Sequence, residues 1–302
     1  MSNIIIEGEV VEHEGSGDDM AVETLSPHVV SKHNDLVGAS YRLSVAEQRL
    51  ILLAIAKIDS RKPMPNGIMI SAYDYMSRYP VNSKDAYAQL KDAAKQLFNA
   101  KITSITGTGK SRAINDVRWV ERCSYIDGEG RVELVFSTTV KPYLSRLIGH
   151  YTSYDHWRVS GIDSTYSFRL FEMLMQYKSK GWLYITVEEL RRRLQLGDAY
   201  DRFSNLRARV IDASVKELRN KCSMELDYEL IKEHRTVKAI RFSFRLLDQM
   251  TLQLQQGGLP VEAMEPDVNA IVSEQSMDAQ NESEEAPPKK RKPKKSNNQS
   301  GS

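Results

Sequence analysis

Residues 202–220 read RFSNLRARVIDASVKELRN, and residues 223–246 read SMELDYELIKEHRTVKAIRFSFRL. At about 100° per residue, Ala208, Ile211, Val215 and Leu218 share one face of a helix running from about Arg202 to Asn220. Arg202, Asn205, Arg209 and Lys216 fall on the opposite face, with Arg207 on the flank. Two strand-like runs follow, Ser223–Ile231 and Thr236–Leu246, close enough to form a hairpin. Upstream lie a loop, Gly197–Tyr200, and a helix, Val187–Leu194, capped by Thr186. A short strand, Leu183–Ile185, and an apolar helix, Ser164–Tyr177, come before that. The order is helix, short strand, helix, turn, helix, hairpin. That is a winged helix: a helix-turn-helix with a β-ribbon wing.

The same order occurs once before, about 115 residues upstream, judged from Ile70 and Ile185. Helix Ser44–Lys57 opens it, with Ser44 and Glu47 spaced as a capping box. A strand at Ile68–Ile70, a helix at Ala72–Tyr79 and a helix at Lys84–Asn99 follow. Tyr87, Leu90, Ala94 and Leu97 line one face of the last. Strands are expected at Ile102–Thr106, Ala113–Tyr125 and Val132–Phe136, with turns at Gly107-Thr108-Gly109 and Asp127-Gly128. The expected class is α+β: tandem winged-helix domains at 31–152 and 153–250.

The chain of 302 residues carries a net charge of only +2, and this hides a strong asymmetry. Residues 1–30 hold seven acids and no Lys or Arg; residues 251–288 hold eight and again none. Residues 289–295 hold six bases, which leaves 36 bases and 25 acids in 31–250, a net of +11. A body this basic attracts polyanions. The flanks 1–30 and 251–302 lack the aromatic and branched residues needed to offset ordering entropy and are read as disordered. The tail's PPKKRK at 287–292 suits either a nuclear address or a non-specific grip on DNA. No apolar run is long enough for a membrane span. Cys123 and Cys222 show no metal-ligand spacing, and the expected location is the cytoplasm.

The long second-copy helix is the natural base reader, because an Arg fork bridges guanine O6 and N7 and Asn pairs with adenine. Its DNA-facing set is Arg202, Asn205, Arg207, Arg209 and Lys216. Lys232, His234, Arg235 and Lys238 crowd the hairpin and suit phosphates or the minor groove. In the first copy, Lys84, Lys91 and Lys95 share a helical face, and Lys110 and Arg112 sit by a turn. Lysine faces grip phosphates better than they read bases. The second copy is thus expected to read bases and the first to grip the backbone.

Other motifs are weaker. GTGKS at 107–111 lacks the earlier glycine of a P-loop, since that position is Ser104. No carboxylate pair or histidine motif indicates catalysis, a metal or a cofactor, so a non-enzymatic protein is expected. Leu36, Leu43 and Leu50 recur every seven residues, as a dimer seam or as the buried face of the opening helix.

Several segments resemble iteron-binding plasmid replication initiators. They are VSKHNDL at 30–36 running to YRLS at 41–44, VKPYL at 140–144, STYSFRLFE at 164–172 with QYK at 176–178, and IRFSF at 240–244. The resemblance implies two winged-helix domains and DNA binding. Such proteins bind origin direct repeats as monomers, promote opening of adjacent AT-rich DNA and recruit the host initiator and helicase. As dimers they bind an inverted repeat and repress their own gene, with chaperones assisting conversion to monomer. The resemblance places base contacts on Arg207 and Arg209 and dimerisation in the first domain, where Leu36, Leu43 and Leu50 lie. A winged-helix transcriptional regulator remains the alternative.

Overall fold

The computed structural model describes residues 29–247, apart from 108–110, 127 and the side chains of Ser83 and Lys84. The expectations for the acidic arm, the 251–302 tail, Lys110 and the Lys84 side chain therefore lie outside the described residues. Val29–His33 forms strand β1, followed by a short helix α1 (Asn34–Gly38). Ser44 and Glu47 close a reciprocal cap, with the Ser44 amide donating to Glu47 Oε2 at 2.6 Å. Helix α2 (Val45–Ala56) grows from it and is enclosed nearly all round, including Glu47, Gln48 and Arg49. A helix apolar on most sides belongs in a core, and α2 packs against elements of both units.

The first unit continues through β2 (Ile68–Ser71), α3 (Ala72–Met76) and α4 (Ser83–Asn99). The middle helix stops at Met76 rather than Tyr79. Tyr79 turns inward instead, and its hydroxyl contacts the Arg49 carbonyl at 2.9 Å and His156 Nε2 at 2.5 Å. Strands β3 (Lys101–Thr106) and β4 (Ala113–Arg118) pair with each other in a two-stranded ribbon, and Thr103 of β3 also bridges Ser40. Strands β5 (Val120–Ile126) and β6 (Arg131–Phe136) join β2 in a sheet ordered β2-β6-β5. The single strand expected at Ala113–Tyr125 is thus two, broken at Trp119. Its indole is fully buried and meets Tyr41 edge-on at 4.9 Å. Swallowing that ring turns the chain out of one sheet and into the next.

The second unit contains α5 (Thr165–Met175), β8 (Trp182–Thr186), α6 (Val187–Arg193), β9 (Met224–Glu233) and β10 (Thr236–Leu246). Its sheet runs β8-β10-β9, all antiparallel. In both sheets the last strand is central and the strand before the second helix is an edge. The duplication therefore holds at the level of topology. It also identifies the first wing as β5–β6, with β3–β4 an inserted hairpin. Arg112, expected by a turn, lies between the two strands of that insertion.

The helix expected at Arg202–Asn220 exists but is not regular. It comprises α7 (Phe203–Leu206), a π-helical turn over Arg207–Asp212, and α8 (Ala213–Lys221). Arg202 is its cap, with extended backbone. A π-turn closes i→i+5 bonds and shifts the following faces. The buried set is accordingly Leu206, Val210, Ile211, Ser214, Val215 and Leu218, while Ala208 is exposed.

Strand β1 pairs along its length with β7 (Tyr151–Asp155), from Val29↔Asp155 to His33↔Tyr151. The expected boundaries at 30/31 and 152/153 each cut one of these strands. Behind the pair lies a buried polar cluster. Glu172 of α5 accepts from Lys32 Nζ at 2.5 Å, Tyr41 Oη at 2.8 Å, Tyr154 Oη at 3.0 Å and Arg169 Nη1 at 3.0 Å. Arg169 Nη2 donates onward to the carbonyls of Val37 and Ala39, at 3.0 and 2.8 Å. Burial alone would raise the Glu172 carboxyl. Lys32, Arg169 and the hydrogen bonds outweigh it and hold the group at about 2.

Leu36, Leu43 and Leu50 are 3%, 3% and 0% exposed. They lie on α1, the following loop and α2, all inside the core. Their spacing of seven reflects burial by three different elements.

Two outcomes are expected. Leu50→Ala should cost about 2–5 kcal/mol in urea unfolding and leave the monomer–dimer constant unchanged by ultracentrifugation. Glu172→Gln strands two buried cations and should cost about 3–5 kcal/mol at pH 7. Because the folded value is depressed from 4.5 to about 2, the carboxylate's contribution is complete above 4.5 and disappears as pH falls through 2. The gap between wild type and variant should close over that window.

Candidate nucleic-acid interface

The turn between α6 and α7 is set by backbone that few side chains adopt freely. Gln195, Gly197 and Tyr200 all have positive φ, at 49°, 52° and 57°. One side chain holds this loop together. Arg191 donates to the carbonyls of Gly197, Ala199 and Tyr200 at 2.7, 2.9 and 2.9 Å. An Arg fork has the donors to satisfy three acceptors at once. Sequence reasoning passed over Arg191 because an arginine in a helix's last turn also serves the helix dipole. Its neighbours are likewise engaged internally. Arg192 and Arg193 each reach Glu189 at 2.6 Å, and Arg192 Nη2 also bonds the Gly38 carbonyl at 3.1 Å.

Beyond the loop, Arg202, Asn205 and Arg209 come together as expected. With Tyr200 and Asp201 they line a recess of about 400 Å³. Among the described residues, the side chains of Arg202, Asn205, Arg209 and Lys216 make no hydrogen bond or ion pair, and all are exposed. Arg207 is different. Its Nε donates to Tyr228 Oη at 2.9 Å, and it lies 3.6 Å from Asp212 Oδ2. Tyr228 also bonds Asp212. Neither partner was singled out in the sequence, since contact across β9 depends on tertiary packing.

The β9–β10 hairpin turns tightly at His234-Arg235, between the pair Glu233↔Thr236. His234 takes φ 55°, a region where His is tolerated better than most side chains. Lys238 is the extra residue of a bulge, because Val237 faces Lys232 and Ala239 faces Ile231. A bulge re-aims its side chain and increases twist. Lys232, His234, Arg235 and Lys238 are all exposed at this tip, with Lys238 3.8 Å from Glu233.

The first unit offers less. Lys91 Nζ lies over the rings of Tyr87 and Tyr125, at 5.7 and 5.8 Å. Lys95 sits 3.6 Å from Asp92. The first wing carries Glu129 beside Arg131 at 3.5 Å, in place of a basic tip. Burial pushes the thiols of Cys123 and Cys222 up to about 11 and about 12.

A tandem pair of such units has known counterparts. The model of the initiator replication protein's first winged helix matches residues 29–175, and that of its second matches 186–244. The chain belongs to this initiator replication protein family. Within the family, it is 24% identical to the PI protein of Escherichia coli over 253 residues, covering 71% of this chain and 82% of that one. It is 26% identical over 237 residues to a replication initiation protein of Escherichia coli, covering 76% and 73%. A crystal structure of the Pi initiator protein in complex with iteron DNA shares the fold. Its TM-score is 0.63 at 24% identity, over 74% of this chain and 98% of that one.

If Arg191 staples the turn ahead of the reading helix, Arg191→Ala should speed amide exchange over 197–203. Arg191 makes three hydrogen bonds to the loop, each worth about 0.5–1.5 kcal/mol net, so the rise should be at least about tenfold. Exchange in the β9–β10 ladder should not change.

Proposed function

We propose that the chain initiates plasmid replication by binding direct repeats at the origin, with the second winged helix reading bases. The observation that carries this reading is the unpaired set Arg202, Asn205 and Arg209 around one recess, next to a basic wing tip. A guanidinium without an internal partner keeps its full donor set for guanine or phosphate. The first unit grips backbone in this reading, since its basic side chains are partly occupied and its wing tip is not basic. Bound monomers would promote opening of AT-rich DNA beside the repeats and present a surface to the host initiator and helicase. A dimer would bind an inverted repeat and repress the gene, with host chaperones assisting conversion to monomer. The protein would act by binding and duplex distortion, without bond cleavage.

Footprinting on DNA flanking the gene tests the proposal. Protection of direct repeats supports it; protection of a lone palindrome points to a transcriptional regulator instead. Nicking of supercoiled origin DNA in Mg²⁺ would refute the non-catalytic mechanism. Arg209→Ala should cost about 1–3 kcal/mol at the cognate site, the worth of one good base contact. Arg235→Ala should weaken all sequences alike and reduce the salt slope by about one.

A further inference from the structure

The π-helical turn has a specific chemical consequence. At 3.6 residues per turn, positions five apart lie about 140° from each other around a helix. Arg207 and Asp212 begin and end the π-turn. Its wider i→i+5 closure brings them to the same side, where Arg207 Nε and Asp212 Oδ2 are 3.6 Å apart. Tyr228, from the wing strand β9, fits between them. Its hydroxyl donates to Asp212 Oδ1 and accepts from Arg207 Nε at 2.9 Å. The Arg207 guanidinium also sits 5.9 Å from the Tyr228 ring centroid. The Tyr228 ring rests against Phe242 of β10, with centroids 5.9 Å apart, so the phenol is anchored in the sheet.

The three roles are complementary. A carboxylate only accepts, a guanidinium only donates, and a phenol does both. Arg207 is held through Nε and Asp212, while no hydrogen bond occupies its Nη groups among the described residues. The Nη edge of an Arg fork can meet guanine or two phosphate oxygens.

We propose that Tyr228 and Asp212 are positioning residues that fix Arg207 at the junction of the reading helix and the wing, and that the π-turn exists to assemble them. This rests on the reading that Arg207 contacts DNA. An Arg held in place before binding loses less side-chain freedom on binding, and the saving appears as affinity for the cognate register. The clamp also ties the wing to the helix, so the two elements meet DNA as one body.

The test measures cognate and random duplex affinity for the full chain and takes their ratio, which a folded but less stable protein leaves unchanged. Arg207→Ala is expected to lower the ratio by about 5- to 150-fold. Tyr228→Phe, which keeps the ring, is expected to lower it by about three- to tenfold. In the Arg207→Ala background, Tyr228→Phe should have no further effect. Asp212→Asn removes a negative charge and should strengthen random-duplex binding while lowering the ratio. If Arg207→Ala lowers the ratio and Tyr228→Phe does not, the clamp is refuted and the DNA-contact reading stands. If the Tyr228→Phe and Arg207→Ala losses simply add, Tyr228 acts elsewhere and the clamp is again refuted. If Arg207→Ala leaves the ratio intact, the underlying contact is itself wrong.

Discussion

One buried carboxylate organises this molecule. Glu172 is 1% exposed and takes hydrogen bonds from Lys32, Tyr41, Tyr154 and Arg169. Removing such a charge from water is costly, and only close cations with a full set of donors repay it. Those donors come from β1, the segment before α2, β7 and α5. The cluster can therefore form only when both units are folded and joined. Arg169 extends it by holding the carbonyls of Val37 and Ala39, and its guanidinium lies 3.6 Å from the Tyr41 ring centroid. The 34–43 segment is fastened from the second unit as well. Gln176 bonds the Asn34 carbonyl, and Gln195 and Arg192 bond the carbonyls of Ser40 and Gly38. Four of the residues that mark the family resemblance, Lys32, Tyr41, Arg169 and Glu172, thus lie buried at the joint between the units.

That joint makes the two winged helices unequal partners in one body. Their sheets have the same order, yet the first has an added hairpin and a wing bearing Glu129. The second has a stapled turn, a π-turn and a basic wing. Net positive charge is only part of the basis for binding. Several arginines are consumed internally, Arg49 on Asp163, Arg169 on Glu172, and Arg192 and Arg193 on Glu189. Among the described residues, Arg202, Arg209, Lys216, Lys232 and Arg235 of the second unit are exposed and take no such partner.

Local signals were legible where the physics is local. The caps at Ser44 and Thr186 appear where expected, because a side chain three residues from an orphan amide decides them. The β9–β10 hairpin and the recess residues Arg202, Asn205 and Arg209 were equally readable. The β1–β7 pair was not, since its strands are some 120 residues apart and five residues each. The leucine spacing at 36, 43 and 50 fitted both a dimer seam and a buried helix face, because periodicity shows only that a face is buried, and not what buries it.

The sequence by itself determined the element order, its duplication and the basic body. All of these follow from helical and strand periodicity or from charge counted along the chain. Only the tertiary structure decided which basic residues remain available, where the π-turn displaces the helix faces, and that Trp119 divides one strand into two. Each of these depends on groups far apart in sequence competing for the same buried space or the same hydrogen-bond donor. No periodicity in the chain records the outcome of that competition.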